Sequence, residues 1–215
     1  SSNFDDCSTI TACGFYVLPG NGPHDFSYPG PDGSAFGPIS IYGGAAHGEG
    51  TQREGVVSAP ISVGDDQFAE ATIIAGPSWY ENDYTGITVR TAYDSASGHY
   101  QWYKFEVFGG STRIASLFYD PSQGHHWFSE CSGSGNVSTN SQHTIRIEIR
   151  GQTIIGILDG TPVVQCIDNT SHAITSGGTP GMHLQGQNLS LDNFNAGTLD
   201  GVAVPDNLPN AQNMY

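Results

Sequence analysis

Basic residues are scarce in this chain. Only 6 of its 215 residues are Lys or Arg, against 21 Asp and Glu, and the formal net charge is −15. This charge disfavours nucleic acid and anionic membrane surfaces as partners, because both are bound by clusters of cationic side chains. No stretch reaches the length and hydrophobicity of a membrane-spanning helix, so we expect no membrane insertion. Neutral ligands and bound calcium are compatible with the acidic composition.

Cysteines at the C-x-x-C spacing of a zinc site are missing, although the chain has four cysteines. Cys131 and Cys166 each end an apolar run, while Cys7 and Cys13 close a short loop. We predict the disulfides Cys7–Cys13 and Cys131–Cys166, and therefore an oxidising, extracellular compartment. The alternative is four reduced, buried thiols. The start at Ser1, without an initiator Met, leads us to expect a mature N-terminus left by processing of a secreted protein.

Helical periodicity is also missing, whereas alternation of apolar and polar residues is common. The chain has 29 Gly and 12 Pro, which favour many turns between short strands. After a turn-rich first fifty residues, about eight strand-like runs follow one another, as expected for an all-β sandwich or barrel. Asp159-Gly160, between two apolar runs, predicts a hairpin with a type I′ turn.

One strand-like run, YQWYKFEVF at residues 100–108, places a tryptophan on the face opposite its core residues. If residues 86–90 pair with it so that both apolar faces are buried, Arg90 lies opposite Trp102. A partly exposed aromatic ring flanked by hydrogen-bonding charges suits the C–H faces and hydroxyls of a sugar. The alternative is that residues 14–50 cover this face and make Trp102 part of a core. The predicted ligand-binding residues are Arg90, Tyr100, Trp102, Lys104 and Glu106.

A second alternating run, HTIRIEIR, places Glu148 between Arg146 and Arg150 on one face. We interpret these three residues as a solvated charge ladder. Three Asn-x-Ser/Thr sequons are candidate glycosylation sites, although about two would arise by chance at this Ser and Thr content. They begin at Asn136, Asn169 and Asn188.

The stretch from residue 143 to residue 197 resembles the C-terminal half of concanavalin A-like (laminin G-like) jelly rolls. The shared features are the Asp159-Gly160 hairpin, a G-x-P-G turn at 178–181 and a final L-D-N-F strand at 191–194. The similarity extends over residues 55–197 and implies a concanavalin-like sandwich of two antiparallel sheets. Members of this class bind glycans or proteins, or cleave polysaccharides. We expect one domain at 1–197, with a turn-rich part at 1–54, and a C-terminal tail at 198–215.

The resemblance also implies a structural calcium ion. In such domains an Asp of the last strand and backbone carbonyls near the N-terminus ligate it, and here Asp192 with Asp5 or Asp6 would supply oxygen ligands. The alternative is that Asp192 caps a turn or hydrogen-bonds the N-terminal strand.

The catalytic pattern of retaining glucanases with this fold is incomplete here. They carry Glu-x-Asp-x-x-Glu on one strand, and the nearest match has Glu81 and Asp83 but Gly86 in place of the second Glu. Glu106 could instead pair with Glu70 or Glu130 from another strand.

Lyases of this fold need an Arg, a Gln or His, and a Tyr. Candidates for all three types are present, but the predicted register points His99 and Gln101 away from Arg90. We therefore hypothesise a secreted, non-catalytic carbohydrate-binding protein whose partner is a polysaccharide or other glycan. The first alternative is a self-assembling subunit of an extracellular filament or surface polymer, in which the tail 198–215 adds a strand to a neighbouring copy. The second is a polysaccharide lyase or hydrolase.

Overall fold

A computed structural model describes residues 4–8, 12–17, 39–48, 54–59, 61–78, 84–94, 99–120, 125–186 and 188–214. Within these ranges a single 3-10 turn, Phe4–Asp6, precedes fifteen strands. None of the described residues forms a helix that is long and hydrophobic enough to cross a bilayer. The strands are β1 (Tyr16–Val17), β2 (Ile39–Tyr42), β3 (Ala45–Gly48), β4 (Glu54–Ser58), β5 (Gln67–Ala75), β6 (Tyr84–Asp94), β7 (His99–Phe108), β8 (Ser111–Asp120), β9 (His125–Asn136), β10 (Gln142–Arg150), β11 (Thr153–Leu158), β12 (Thr161–Ile167), β13 (Thr179–Gln185), β14 (Leu189–Thr198) and β15 (Gln212–Asn213).

The strands form two sheets that pack face to face. One has seven strands in the order β1-β4-β13-β6-β7-β8-β9, and the other has eight in the order β15-β12-β11-β10-β5-β14-β3-β2. Neighbouring strands are antiparallel except for β12 and β15. The predicted sandwich of two antiparallel sheets is confirmed.

Alternating side chains from both sheets fill the space between them. Ile145, Ile147 and Ile149 of β10 are fully buried, as are Phe105 and Val107 of β7 on the facing sheet. Each such side chain contributes about 1.5–3 kcal/mol through burial of apolar surface. This packing leaves no space for a side chain at residue 156 of β11, where a Cβ would lie 2.5 Å from the Phe105 ring. A glycine is therefore required there.

The turn between β11 and β12 has the predicted type I′ conformation. Asp159 and Gly160 both have positive φ, at 49° and 77°, and Leu158 pairs with Thr161 across the turn. This turn twists in the same sense as the strands, which is why Asp-Gly is favoured at its two central positions.

The predicted pairing of β6 with β7 is right in its first half and wrong in its second. Thr88 lies opposite Lys104 as expected, but a bulge follows Val89, and Ala92 then pairs with Gln101. Arg90 sits in this bulge with φ 51° and has no partner on β7. Gly178 accommodates the bulge, since a Cβ there would lie 2.4 Å from the Arg90 carbonyl carbon.

Arg90 consequently points away from the Trp102 face and reaches the start of β5, a central strand of the other sheet. Its backbone N–H donates to Gln67 Oε1 at 2.8 Å, and Nε and Nη2 donate to the Asp65 carbonyl at 3.2 and 3.1 Å. Its Nη1 donates to the Ile174 carbonyl. Burial lowers the pKa of Arg90, although Tyr103, Asp65 and Asp66 oppose that shift. The expectation that Arg90 shares a face with Trp102 is therefore wrong, because a bulge re-aims the side chain.

Both predicted disulfides are present. Cys131 of β9 and Cys166 of β12 are buried and join the two sheets. Cys7 and Cys13 close an N-terminal loop, and Phe4 and Phe15, which lie on either side of that loop, join the hydrophobic core. There the rings of Phe15 and Phe194 meet edge to face with centroids 5.1 Å apart.

The described part of the C-terminal tail lies on its own sandwich. Residues 212–213 extend the eight-stranded sheet beside β12, and the buried side chain of Met214 joins the core. Gln212 Nε2 donates to the Ser132 carbonyl at 2.8 Å, which ties the tail to the other sheet. These contacts explain why this part of the tail packs against the sandwich of its own chain. Assembly of copies through the tail stays a prediction.

The charge ladder on the outer face of β10 is not solvated as expected. Glu148 is 2% exposed, and Arg146 Nε and Arg150 Nη2 each donate to it at 2.9 Å. Arg150 also donates to the carbonyls of Val202 and Ala203, both at 3.1 Å. The tail thus crosses this face, which explains why the carboxylate is shielded from water.

Candidate functional site

A row of charged side chains crosses the outer face of the seven-stranded sheet. The turn at Gly109 and Gly110 places Glu106 of β7 directly opposite Arg113 of β8. Glu130 of β9 lies in the neighbouring row, opposite Ala115. Period-two alternation puts all three on the face that turns away from the core. We use the name polar ladder for His183, Lys104, Glu106, Arg113 and Glu130.

Successive members of the polar ladder are in contact. Lys104 Nζ donates to His183 Nδ1 at 3.3 Å and pairs with Glu106 Oε2. On the other side of Glu106, Arg113 Nε donates to Oε1 at 2.5 Å. Arg113 Nη1 then donates to Glu130 Oε2 at 2.7 Å. One carboxylate is therefore held between two cations, and one cation is held between two carboxylates.

The charges fix the ionisation of the central carboxylate. Burial by itself would raise the pKa of Glu106, but attraction to Lys104, Arg113 and His183, in that order, outweighs it. The pKa of Glu106 is therefore lowered and the group is ionised at neutral pH. Attraction to Glu106 likewise raises the pKa of Arg113 against the opposing effect of burial.

Aromatic rings lie against both cations. Lys104 Nζ is 4.8 Å from the ring centroid of Trp102, and the guanidinium carbon of Arg113 is 4.5 Å from that of Phe108. The Phe108 and Tyr84 rings stack with centroids 4.7 Å apart, and Arg113 lies 5.4 Å from the Tyr84 centroid. Such cation–π contacts hold the charged groups in defined positions on the sheet.

A glycine leaves room between His183 and Glu106. Gly86 lies between them in register, and a Cβ there would lie 2.2 Å from the Phe105 carbonyl oxygen and 2.7 Å from the Glu106 Cα. Because both are backbone atoms, no larger residue fits without moving β7. Lys104 and His183 can therefore meet across this position.

Exposure differs sharply along the polar ladder. Trp102 is 1% exposed, and Lys104, Glu106 and His183 are also buried, so the expectation that the Trp102 face is open to water is wrong. The side chains of Arg113 and Glu130 are 17% and 49% exposed. A ligand therefore has direct access to the β8 and β9 end of the ladder, beside the half-buried rings of Tyr84 and Phe108.

Apart from Glu106 Oε2, which forms the ion pair with Lys104, two buried polar atoms near the ladder have no hydrogen-bond partner among the described residues. They are Trp102 Nε1 and Gln185 Oε1. Gln185 follows His183 on the same face of β13 by the period-two rule, and it pairs with Tyr84. An unsatisfied buried group costs about 1–3 kcal/mol, so Trp102 Nε1 is available to donate a hydrogen bond to a ligand or water, and Gln185 Oε1 to accept one.

The structure brings together three of the five predicted ligand-binding residues, namely Trp102, Lys104 and Glu106. Arg90 lies elsewhere, as described above, and the Tyr100 side chain is outside the described residues. The sequence also suggests Trp79, Tyr80 and Trp127 as aromatic residues at the rim of this face, and their side chains are outside the described residues too. Sequence reasoning missed Arg113, although the Gly109-Gly110 turn fixes its place opposite Glu106. No local signal could have revealed His183, since β13 and β6 are far apart in sequence.

Glu106 does not have the properties of a general acid. Glu106 and Glu130 both contact Arg113, which makes them the carboxylate pair that the sequence suggested. A glycosidase acid needs a raised pKa, however, and that of Glu106 is lowered. Glu70 lies on the other sheet, beside Arg146. Glu81, Asp83 and the side chain of His99 are outside the described residues.

The acidic residues expected to hold calcium lie near one end of β3. A Cβ at Gly44, which precedes β3, would lie 2.2 Å from Asp5 Oδ1, and β3 pairs with β14 just before Asp192. Asp192 accepts hydrogen bonds from Asn193, at 2.6 Å on Oδ1 and 3.0 Å on Oδ2. The Asp6 side chain is outside the described residues, and no three metal-ligating side chains cluster in the part that is described. Backbone carbonyls near the N-terminus would have to supply the other oxygen ligands of a calcium shell.

Calcium therefore stays a prediction, which thermal unfolding tests. If Asp192 and Asp5 hold calcium, the protein should be stabilised when free calcium is present at about 100 times its Kd. Removing that calcium with a chelator should then lower the melting temperature by about 5–10 °C. The Asp192→Asn variant should melt at one temperature with and without chelator. Superimposable wild-type curves in both conditions would exclude the site.

The three sequons differ in exposure. Asn136 and Asn169 are exposed, whereas Asn188 is half-buried. Glycosylation stays a prediction at all three, and the first two positions leave room for a glycan.

No family model and no curated protein matches the sequence. Among solved structures, the carbohydrate binding module CBM66 from Bacillus subtilis is similar over 89% of this chain and 97% of its own, with 14% identity and a TM-score of 0.55. A Bacillus subtilis protein of unknown function with a galectin-like fold is similar over 92% and 96%, with 10% identity and a TM-score of 0.56. An endo-β-1,4-glucuronan lyase from the fungus Trichoderma reesei is similar over 77% and 79%, with 13% identity and a TM-score of 0.52.

At these identities the likeness establishes the fold alone. It agrees with the order of the motifs in the second half of the chain and with the two stacked sheets. The chain is therefore a concanavalin-like jelly-roll β-sandwich.

Proposed function

We propose that this protein is a secreted, non-catalytic carbohydrate-binding protein, and that glycans bind at the exposed end of the polar ladder. The observation that carries the proposal is the pair formed by Arg113 and Glu130, which presents fixed donors and acceptors beside the Tyr84 and Phe108 rings. A sugar offers vicinal hydroxyls to such a pair and C–H groups to the rings. The fold shared with a carbohydrate binding module and the two disulfides are in keeping with this function and with secretion.

The charges of the ladder favour a neutral glycan. Lys104 and Arg113 balance Glu106 and Glu130, so the site has no excess positive charge to attract a carboxylated or sulfated sugar. The net charge of −15 adds long-range repulsion against polyanions. Hydroxyl groups can replace water on Arg113 and Glu130 without introducing a new charge.

The buried half of the ladder has a supporting role. Lys104 is held by Glu106, His183 and the Trp102 ring, and it fixes Glu106, which in turn fixes Arg113. A preorganised Arg113 loses less conformational freedom when a ligand binds, which favours affinity. Trp102 is thus assigned to positioning the cation and not to direct stacking on the sugar.

A glycan array with matched variants tests this function. Glu130→Gln and Arg113→Lys should each lower affinity at least about tenfold, because they remove a charge-assisted hydrogen bond or the planar fork of the guanidinium. Glu70→Gln is the control, since Glu70 is also a partly exposed carboxylate paired with an arginine, but on the other sheet. Absence of any wild-type signal on neutral glycans would refute the function. Equal losses in all three variants would refute the site.

A further inference from the structure

A serine, a histidine and an aspartate are connected at the end of the eight-stranded sheet where β10 begins and β11 ends. His143 Nε2 lies 3.0 Å from Ser141 Oγ, and His143 Nδ1 lies 2.6 Å from Asp159 Oδ2. Ser141 immediately precedes β10, His143 lies on β10, and Asp159 is the first residue of the type I′ turn between β11 and β12. The side chains of two residues at the start of β10 and of one residue in the turn after β11 therefore form one hydrogen-bonded relay.

The turn holds the aspartate rigidly. The Asp159 backbone N–H donates to the Thr144 carbonyl at 2.8 Å, and the Thr144 backbone N–H donates to Asp159 Oδ1 at 2.9 Å. The second carboxylate oxygen is thereby left to face His143. Because a carboxylate only accepts hydrogen bonds, Nδ1 of His143 carries a proton, and Nε2 of the neutral ring is an acceptor directed at Ser141.

The charge on the aspartate is maintained. Burial would raise the pKa of Asp159, but hydrogen bonds from His143 and from the Thr144 backbone outweigh burial and lower it. An ionised Asp159 orients the imidazole and stabilises the imidazolium that forms when His143 takes up a proton.

We propose that Ser141, His143 and Asp159 form a nucleophilic serine site that accepts the acyl group of an activated ester. The site is independent of the proposed glycan-binding function, which is non-catalytic toward the bound glycan, since it lies on the other sheet and shares no residue with the polar ladder. Ser141 and His143 are half-buried and Asp159 is exposed, so a small ester can reach the hydroxyl.

The reaction is balanced with the ester and water as the only reactants. Ser141 Oγ bonds to the ester carbonyl carbon while its proton moves to His143 Nε2. The ester C–O bond then breaks, and the departing alkoxide takes the proton from His143, which leaves an acyl-serine and a free alcohol. Water attacks the acyl-serine by the same route in reverse, releases the acid and restores the hydroxyl.

The surroundings of Ser141 limit this reactivity to activated substrates. Its hydroxyl also donates to the Ser138 carbonyl at 2.5 Å, so His143 competes with that oxygen for the proton. The serine is not held on a sharp strand-to-helix turn of the kind that raises nucleophilicity in hydrolases. We therefore expect esters with good leaving groups to react and amides to be stable.

The test uses p-nitrophenyl acetate with the intact protein, followed by peptide mass spectrometry. The chain has one lysine, the buried Lys104, so acetylation of lysine contributes little background. We expect a burst of nitrophenol and an acetyl group on Ser141. His143→Gln should slow acetylation about 100-fold and Asp159→Asn at least tenfold, as for loss of a general base and of its orienting partner.

Two controls separate a reactive site from a merely structural hydrogen-bond network. Ser176→Ala, at an exposed serine outside the relay, should react like the wild type. Melting curves of the His143 and Asp159 variants establish that the loss does not reflect unfolding. The proposal is overturned if wild-type protein carries no acetyl group on Ser141, or if Ser141 is acetylated equally fast in folded His143→Gln.

Discussion

Replacing Glu106 with glutamine is expected to lower the free energy of unfolding by about 3–5 kcal/mol, the usual cost of removing one partner from a buried ion pair. Glu106 is fully buried between Lys104 and Arg113. Glutamine keeps the shape of the side chain but leaves the buried Lys104 without a counter-charge and Arg113 with Glu130 alone. Urea titration followed by circular dichroism measures the change. Glu130→Gln, at the exposed end of the same ladder, should cost less than about 1 kcal/mol.

The same carboxylate makes stability depend on pH in acid. The pKa of Glu106 is lower in the folded protein than its ordinary value of about 4.3. Its stabilising contribution is therefore complete above that value and is lost as the pH falls through the lowered folded value. The wild type should lose melting temperature more steeply below pH 4 than Glu106→Gln does. Parallel acid profiles for the two proteins would show that folding does not lower the pKa of Glu106.

Removing the Cys131–Cys166 disulfide by double replacement with alanine is the second large effect we expect. The two residues are 35 apart in sequence. Closing a loop of that length lowers the conformational entropy of the unfolded chain and so stabilises the folded state by about 4 kcal/mol. The double variant should therefore unfold at a much lower urea concentration. Both residues are buried between the sheets, so loss of packing adds to the effect.

The N-terminal disulfide provides the matched comparison. Cys7 and Cys13 are only 6 apart, so the same reasoning gives about 2 kcal/mol for that pair. A Cys7/Cys13 double variant that is destabilised more than the Cys131/Cys166 variant would contradict the loop-length argument. Free thiols in the unreduced wild-type protein would contradict both pairings.

Much of the sandwich could be predicted from sequence because its signals are local. Alternation in β7 and β10 identified the buried faces, and Asp159-Gly160 identified a turn that requires positive φ at both positions. The cysteine pairs followed from an even count and two apolar runs. The alternation and the turn depend on neighbouring residues alone, whereas Cys131 and Cys166 are 35 residues apart, and the structure confirms all three.

The predicted site was partly wrong because its geometry depends on contacts between residues that are far apart in sequence. The bulge after Val89 reverses the direction of Arg90, and what accommodates it is Gly178, which is distant in sequence. Burial of Trp102, Lys104 and Glu106 also depends on tertiary packing, which alternation along one strand cannot reveal. Glu148 was judged solvated for the same reason, since the tail that covers it lies more than fifty residues away.

The place of β5 in its sheet has a consequence for the folding of the growing chain. β5 is hydrogen-bonded between β10 and β14, which begin 67 and 114 residues after its last residue, Ala75. At about 5–20 residues per second, roughly 3–13 s pass between synthesis of β5 and the start of β10. During that interval an apolar strand exists without either partner, so chaperone binding to the nascent chain should be strongest over residues 67–75.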